Sequence, residues 1–167
     1  SDSGGRRIMR EYALKLDYIK PCTPEFLEKM KAFDDELAQF ITGKQQQAAE
    51  GRVANTDNPA GLVNGTIDTN VGLLRAYMAL YLRRHPFINK DLDLMVRTLA
   101  PTGNGLPVQI YCFSSNKNWP SYESIQAEIM EHFVSVLPVF ELYAFQSADA
   151  RDTIISGLIE SGKVDLS

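Results

Sequence analysis

The chain has 167 residues, of which 44% are hydrophobic and 23% charged, and these values are typical of one globular domain of ordinary size. Its formal net charge of −4 disfavours a surface that binds nucleic-acid phosphates, because such binding depends on clustered lysine and arginine. No run approaches the roughly 18 apolar residues of a membrane-spanning helix. The nearest candidate, residues 73–82, is short and contains Arg75. The two cysteines, Cys22 and Cys112, have no spacing typical of a metal site.

The first predicted elements are a strand and a helix. Residues 8–18 alternate between apolar and polar with the period of two that turns one face of a strand toward a core. The helix begins after Thr23, a good N-cap, and its apolar residues recur at helical spacing as far as Phe40. Thr42-Gly43 is the predicted end of this helix, and an extension over residues 45–50 is the alternative.

A long insertion and a second helix follow. Residues 43–69 are interpreted as a loop insertion in which Asn64-Gly65 is typical of a hairpin turn. The spacing of apolar residues predicts a helix over 71–84, with Thr69 or Asn70 as its N-cap. Pro86 ends it, because proline cannot continue a helix.

A strand pair is predicted at residues 92–99 and 108–114, around a glycine-rich turn. Both segments are apolar at nearly every position, which favours a place inside a sheet rather than at its edge. Tyr111 and Phe113 share one face of the second strand, as do the aromatic residues with which some four-stranded sheets stack on RNA bases. Packing under helices, together with the net acidity, explains them better than RNA binding.

The last predicted elements complete the fold class. A third helix begins after Asn118 and ends before Pro138, and residues 140–146 form a closing strand. The order strand, helix, extra helix, strand, strand, helix, strand predicts an α+β fold of the ferredoxin-like, split βαβ type. Its sheet has four antiparallel strands with helices on one face. The domain is expected to cover residues 1–146, and residues 147–167 to form a tail with a short helix.

The polar residues do not form a recognisable catalytic, cofactor-binding or metal-binding set. The only histidines are His85 and His132, and Glu128 lies four residues before His132 on the same helix face. This spacing favours an exposed charge pair over a metal site. The turn at 103–105 is not a phosphate loop, since no helix begins behind it. The sequence therefore predicts a protein without enzymatic activity or cofactor.

Several short motifs are distinctive together. They are Thr69-Asn70-Val71-Gly72, Arg75-Ala76-Tyr77, His85-Pro86, Trp119, Tyr122-Glu123 and Ile125-Gln126-Ala127-Glu128-Ile129. With the hairpin region they resemble the C-terminal cytosolic domain of small-conductance mechanosensitive (MscS-like) channels, in the subfamily with an extra helix and a larger membrane region. The positions to which the resemblance gives structural or subunit-contact roles are Arg6, Arg7, Asn70, Arg75, Tyr77, His85, Pro86, Trp119, Tyr122 and Gln126.

The resemblance implies an ion channel that releases solutes on hypo-osmotic shock. Family members are homo-heptamers in which this domain builds a hollow vestibule at the cytoplasmic face of a bacterial inner membrane. The implied partners are other copies of the chain, an upstream β-domain and membrane helices outside this chain, with no nucleic acid. The implied role is assembly and solute filtering rather than gating. Glu141 and Tyr143 depart from the glycine and arginine common in the family. A free-standing ferredoxin-like domain that binds a small regulatory ligand is the alternative.

Overall fold

The computed structural model describes residues 4–51, 64–147, 155 and 157–162. Its centre is a three-stranded antiparallel sheet of order β1-β3-β2. The strands are β1 (Arg6–Leu14), β2 (Met95–Thr98) and β3 (Leu106–Ser114). The predicted hairpin of β2 and β3 is confirmed. Its predicted place inside the sheet is correct for β3 and wrong for β2, which pairs with β3 alone and forms an edge.

The helices are α1 (Pro24–Phe33), α2 (Asp35–Ala49), α3 (Asn70–Arg84) and α4 (Trp119–Val136), so the predicted α+β class is confirmed. The predicted caps at two helix starts are formed. Thr23 Oγ1 accepts from the Phe26 amide at 3.1 Å, and Thr69 Oγ1 accepts from that of Gly72 at 3.0 Å. Asn118 caps α4 in the same way. Within the described ranges, no helix has the length and apolar character needed to cross a membrane.

The first predicted helix is in fact two helices that meet at Asp34. This residue has extended backbone angles, and its carboxylate accepts from the Leu37 amide at 3.0 Å, which starts α2. The predicted end at Thr42-Gly43 is wrong, and the alternative extension is correct as far as Ala49. A glycine inside a helix costs only about 1 kcal/mol. Burial of Leu37 and Ile41 on the same helix outweighs that cost.

The predicted fourth strand is not formed among the described residues, and the sheet has three strands. After α4 a short 3-10 helix covers Leu137–Phe140, and Glu141 then adopts a left-handed conformation with φ of 58°. The segment behind it reaches β1 through a single bridge between Leu14 and Ala144. The turn uses the residues that a longer strand would need. Glu141 occupies a conformation that favours glycine.

The predicted first strand is too long at its C-terminal end. β1 ends at Leu14, and Leu16–Tyr18 form a turn of 3-10 helix in which Leu16 is 54% exposed. The alternation of apolar residues therefore continues past the strand without a buried face beneath it. Asn64, predicted to lie in a hairpin turn, instead donates to the Leu94 carbonyl and accepts from the Val96 amide. Its side chain thereby satisfies backbone groups on the free edge of β2.

The two faces of the sheet differ in cover. Ile8, Val108 and Ile110 are fully buried on the face that meets the helices, where the Tyr12 ring stacks on Phe133 with centroids 6.0 Å apart. The opposite face carries the residues Met9, Met95, Arg97, Tyr111 and Phe113. Tyr111 and Phe113 are only partly buried there. The expectation that packing under helices explains these two aromatics is therefore wrong.

Candidate functional site

The point where the chain enters β1 is held by contacts from distant segments. The Tyr122 hydroxyl donates to the Arg7 carbonyl oxygen at 2.6 Å and lies 3.1 Å from the Gln126 side-chain oxygen. The Arg6 guanidinium lies 4.3 Å from the centroid of the Tyr122 ring. We call this group the entry clamp, and it consists of Gly4, Gly5, Arg6, Arg7, Asn89, Tyr122 and Gln126.

The entry clamp brings together predicted positions that are far apart in sequence. Asn89 adds a further bond, since its amide nitrogen donates to the Gly4 carbonyl at 2.7 Å. Arg6 is partly buried against Tyr122, whereas the Arg7 side chain is exposed and only its carbonyl is held. The clamp therefore fixes the direction in which the preceding chain leaves the domain.

Removal of the Tyr122 hydroxyl should loosen the clamp. We expect Tyr122→Phe to lower the free energy of unfolding by about 1–2 kcal/mol, because the Arg7 carbonyl loses its donor. Urea denaturation measures the change. The matched control is Tyr143→Phe, since Tyr143 is exposed and makes a ring contact with Tyr18 but no side-chain hydrogen bond within the described ranges. Equal losses in both variants would show that the clamp bond contributes nothing.

Asn70 is a fully buried polar residue with every side-chain group satisfied. Its amide nitrogen donates to the carbonyl oxygens of Tyr18 at 2.9 Å and Phe140 at 3.0 Å. Its side-chain oxygen accepts from the Lys20 amide at 3.0 Å. The side chain thus joins the start of α3 to the segment after β1 and to the segment after α4. Thr69, not Asn70, is the N-cap, so the role of Asn70 is long-range.

A seam of aromatic and titratable residues joins α3 to α4. His85 Nδ1 accepts from the Phe87 amide at 3.1 Å, which leaves the proton of the neutral ring on Nε2. That nitrogen lies 2.8 Å from a Glu128 carboxylate oxygen and donates to it. Lys90 Nζ donates to the His85 carbonyl. We call this the α3–α4 seam, with members Tyr77, Tyr81, Arg84, His85, Glu128 and His132.

His132 and Glu128 do not form the predicted pair, because His132 has a partner on α3 and Glu128 has one in His85, the C-cap of α3. His132 Nε2 lies 2.7 Å from the Tyr77 hydroxyl, and its ring stacks on Tyr81 with centroids 4.2 Å apart. Burial, followed by the nearby Arg84 charge, lowers the pKa of His132, and Glu128 opposes this shift. Tyr77 and Tyr81 lie at i and i+4 on α3, and His85 follows the helix as its C-cap. The helical spacing predicts a shared face but not its partner.

The lowered pKa of His132 predicts a pH-dependent stability. Between the folded pKa and the ordinary value of 6.5, the unfolded chain binds more protons than the folded chain. The contribution of His132 to the free energy of unfolding should be complete above pH 6.5. It should be lost as the pH is lowered through the pKa of His132 in the folded state. We expect His132→Phe, which keeps a ring against Tyr81, to flatten this dependence in urea titrations at several pH values. Parallel curves for both proteins would assign the pH dependence to other groups.

The other predicted positions lie around these sites. Arg75 is half-buried, and burial lowers its pKa. Trp119 is 65% exposed, and its ring nitrogen donates to Glu123 at 3.0 Å. Pro86 lines a depression of about 300 Å³, which adjoins a second of about 350 Å³ along α4. We call the two together the Phe87 groove, since both are lined by Phe87 and Glu128.

The cysteines do not form a paired or reactive site in the structure. Burial raises the pKa of the Cys22 thiol to about 11 and that of Cys112 to about 12, so both are protonated at neutral pH. In the part of the chain that the structure describes, no group of three or more histidine, cysteine, aspartate or glutamate side chains could hold a metal ion. Comparison with protein-family models finds none that matches the chain.

Proposed function

We propose that this chain is the cytosolic vestibule domain of a mechanosensitive ion channel of the MscS-like class. The observation that carries the proposal is the entry clamp, where Arg6, Arg7, Tyr122 and Gln126 meet. A domain that hangs below a membrane pore needs a fixed joint with the segment before it. The clamp is such a joint, and four of its seven members are positions singled out by the family resemblance, namely Arg6, Arg7, Tyr122 and Gln126.

The finer fold assignment is part of the same proposal. The bridge between Leu14 and Ala144 lies on the edge of β1 away from β3, where a ferredoxin-like sheet has its fourth strand. Two backbone hydrogen bonds support it, from Lys15 to the Tyr143 carbonyl at 2.9 Å and from Phe145 to the Ala13 carbonyl at 2.8 Å. The chain would then have a ferredoxin-like fold whose last strand is reduced to this bridge.

The role of the domain would be assembly and filtering of solutes before they reach the pore. Each copy carries a formal charge of −4, so several copies around one cavity would enrich cations there. Salt screens this field over about 8–10 Å, and the effect is therefore strongest at narrow openings. Reversal of charges on the cavity wall should change ion selectivity and leave the tension threshold unaltered.

Osmotic downshock tests the proposal in cells. The complete open reading frame that encodes this chain would be expressed in bacteria that lack their own mechanosensitive channels, and survival after transfer to dilute medium would be counted. We expect the frame to restore survival and Tyr122→Leu to reduce it at equal protein level, with Tyr143→Leu as the control. Full expression in the membrane without any gain in survival would contradict the proposal.

The Phe87 groove favours a second candidate, a regulatory domain that binds a small ligand. Its volumes of about 300 and 350 Å³ lie at the lower end of ligand pockets, and its walls combine the Phe87 ring with the polar Asn116, Ser121 and Glu128. A metabolite that raises the melting temperature saturably, and whose effect is lost in Phe87→Ala, would support this candidate. The reading frame would then encode no membrane helices upstream.

A further inference from the structure

One side of the domain exposes an unusual amount of apolar surface. Six large hydrophobic side chains on or beside β1 are between 38% and 54% exposed. Tyr18 and Tyr143 contact each other there, with centroids 4.7 Å apart. Clustered apolar exposure of this kind marks an interaction surface. We call this surface the β1 side, and its apolar members are Met9, Tyr12, Leu16, Tyr18, Tyr143 and Phe145.

The β1 side also has a free strand edge. The carbonyls of Arg7 and Ala13 point away from β3, since they accept from Tyr122 and from the Phe145 amide. Because hydrogen-bonding direction alternates along a strand, the backbone groups of Met9 and Glu11 point to the same edge. Across the described ranges, nothing bonds to them. An unpaired edge beside apolar side chains is a ready contact for another chain.

The charge of the β1 side is opposite to that of the whole chain. Three exposed basic residues there form no ion pair with any described residue, namely Arg7, Arg10 and Lys15. They outnumber the two exposed acidic residues, Glu11 and Asp17. The chain as a whole carries −4. The natural partner of this basic, apolar surface is therefore an acidic one, and this protein itself is acidic.

The Phe87 groove provides an acidic, aromatic counterpart on the other side of β3. On one side of β3, Ser114 pairs with Arg6 of β1, and on the other side it forms a bridge to Ile88. Phe87 precedes Ile88, so the groove lies on the side of β3 away from β1. Phe87 is 53% exposed, and the Glu128 side chain is largely exposed as well.

Glu128 is the acidic side chain among the residues that line the groove. Arg84 lies in its wall but is already paired with Asp34 at 3.1 Å and Glu36 at 2.9 Å. His85 Nδ1 accepts from the Phe87 amide, and its Nε2 donates to Glu128. A cation placed between the Phe87 ring and the Glu128 carboxylate would gain both a cation–π contact and an ion pair.

We infer that the β1 side of one copy docks on the Phe87 groove of a second copy, with the Arg10 guanidinium against Glu128 and Phe87. The two surfaces differ and lie on opposite sides of β3, so the contact is heterologous and repeats from copy to copy, as a ring requires. The inference rests on the proposed function, to which it adds the pair of surfaces that joins neighbours in the vestibule.

A charge swap tests the contact on the chain alone. By sedimentation velocity over a range of concentrations, we expect self-association to weaken about tenfold or more in Arg10→Glu and in Glu128→Lys. The double variant should regain it, because the swapped charges attract again. Arg83→Glu and Glu28→Lys are the controls, since they make the same charge changes at exposed residues that are members of neither surface. A double variant no stronger than the single ones, or a chain that stays monomeric at every concentration, would overturn the inference.

A cross-linking experiment tests the same contact without Glu128→Lys, in case that variant does not fold. In a Cys22→Ser background, Arg10→Cys and Ser124→Cys chains would be mixed and treated with a short bifunctional maleimide. We expect linked pairs in the mixture and few in either variant alone, and equal yields in all three samples would exclude the contact. If the frame fails to restore survival after downshock while the charge swap and the cross-linking give the expected results, only the proposed function is contradicted. If survival is restored but neither of these experiments shows the contact, only the contact is contradicted.

Discussion

Replacement of Asn70 by alanine should lower the free energy of unfolding by about 3–5 kcal/mol. The side chain is fully buried and bonds to three backbone groups, the carbonyls of Tyr18 and Phe140 and the amide of Lys20. In Asn70→Ala all three groups lose this partner, the Phe140 carbonyl at a buried contact and the other two at partly buried ones, and a buried group left unsatisfied costs about 1–3 kcal/mol. Urea denaturation followed by circular dichroism measures the loss.

Two further variants sharpen this test. Asn104→Ala, in the exposed turn between β2 and β3, should change stability by less than about 0.5 kcal/mol. Asn70→Asp should be more harmful at neutral than at acidic pH, because a carboxylate would face two carbonyl oxygens and protonation restores one donor. A loss below about 1 kcal/mol in Asn70→Ala would show that the three segments hold together without this residue.

The second large effect is expected at Gly5, in the entry clamp. Its φ of 124° is a conformation that favours glycine, and an added Cβ would lie 1.6 Å from the Ser114 carbonyl oxygen. No flexible side chain can move aside, since the obstacle is backbone. We expect Gly5→Ala to displace the start of β1 and to cost more than about 3 kcal/mol in thermal or urea denaturation.

Gly43→Ala is the matched control for Gly5→Ala. Gly43 lies inside α2 with no atom within 4 Å of an added Cβ. The same chemical change should therefore stabilise the protein there, by about 0.5–1 kcal/mol. If Gly5→Ala were as harmless as Gly43→Ala, the entry of the chain into β1 would not be fixed, and the proposed joint would lose its physical basis.

Helix starts were predictable because their signals are local. Thr23, Thr69 and Asn118 each cap a backbone amide three residues ahead, and such short spacings can be read directly from a sequence. The break at Asp34 had the same kind of signal, an acidic cap before α2. The regular apolar spacing across residues 33–40 concealed it. Periodicity alone therefore does not distinguish one amphipathic helix from two in succession.

The strand ends and the candidate site depend on contacts that local patterns do not contain. Leu16 continues the alternation of β1, yet no helix lies beneath it and it is exposed. Tyr122 was singled out by resemblance, but its bond to Arg7 spans 115 positions and appears only in the folded chain. Likewise, the spacing of Glu128 and His132 on one helix predicted that they pair, whereas α3 and its C-cap His85 supply the partners that both have in the structure.

Recording of single-channel currents under membrane tension tests the central claim most directly. The product of the complete reading frame would be reconstituted in liposomes. Membrane patches from these liposomes would then be held under increasing suction. We predict currents that appear above a threshold of tension, with a threshold or inactivation altered by Tyr122→Leu and unaltered by Tyr143→Leu. Correctly inserted protein that passes no current at any tension short of membrane rupture would contradict the assignment of this chain to a mechanosensitive channel.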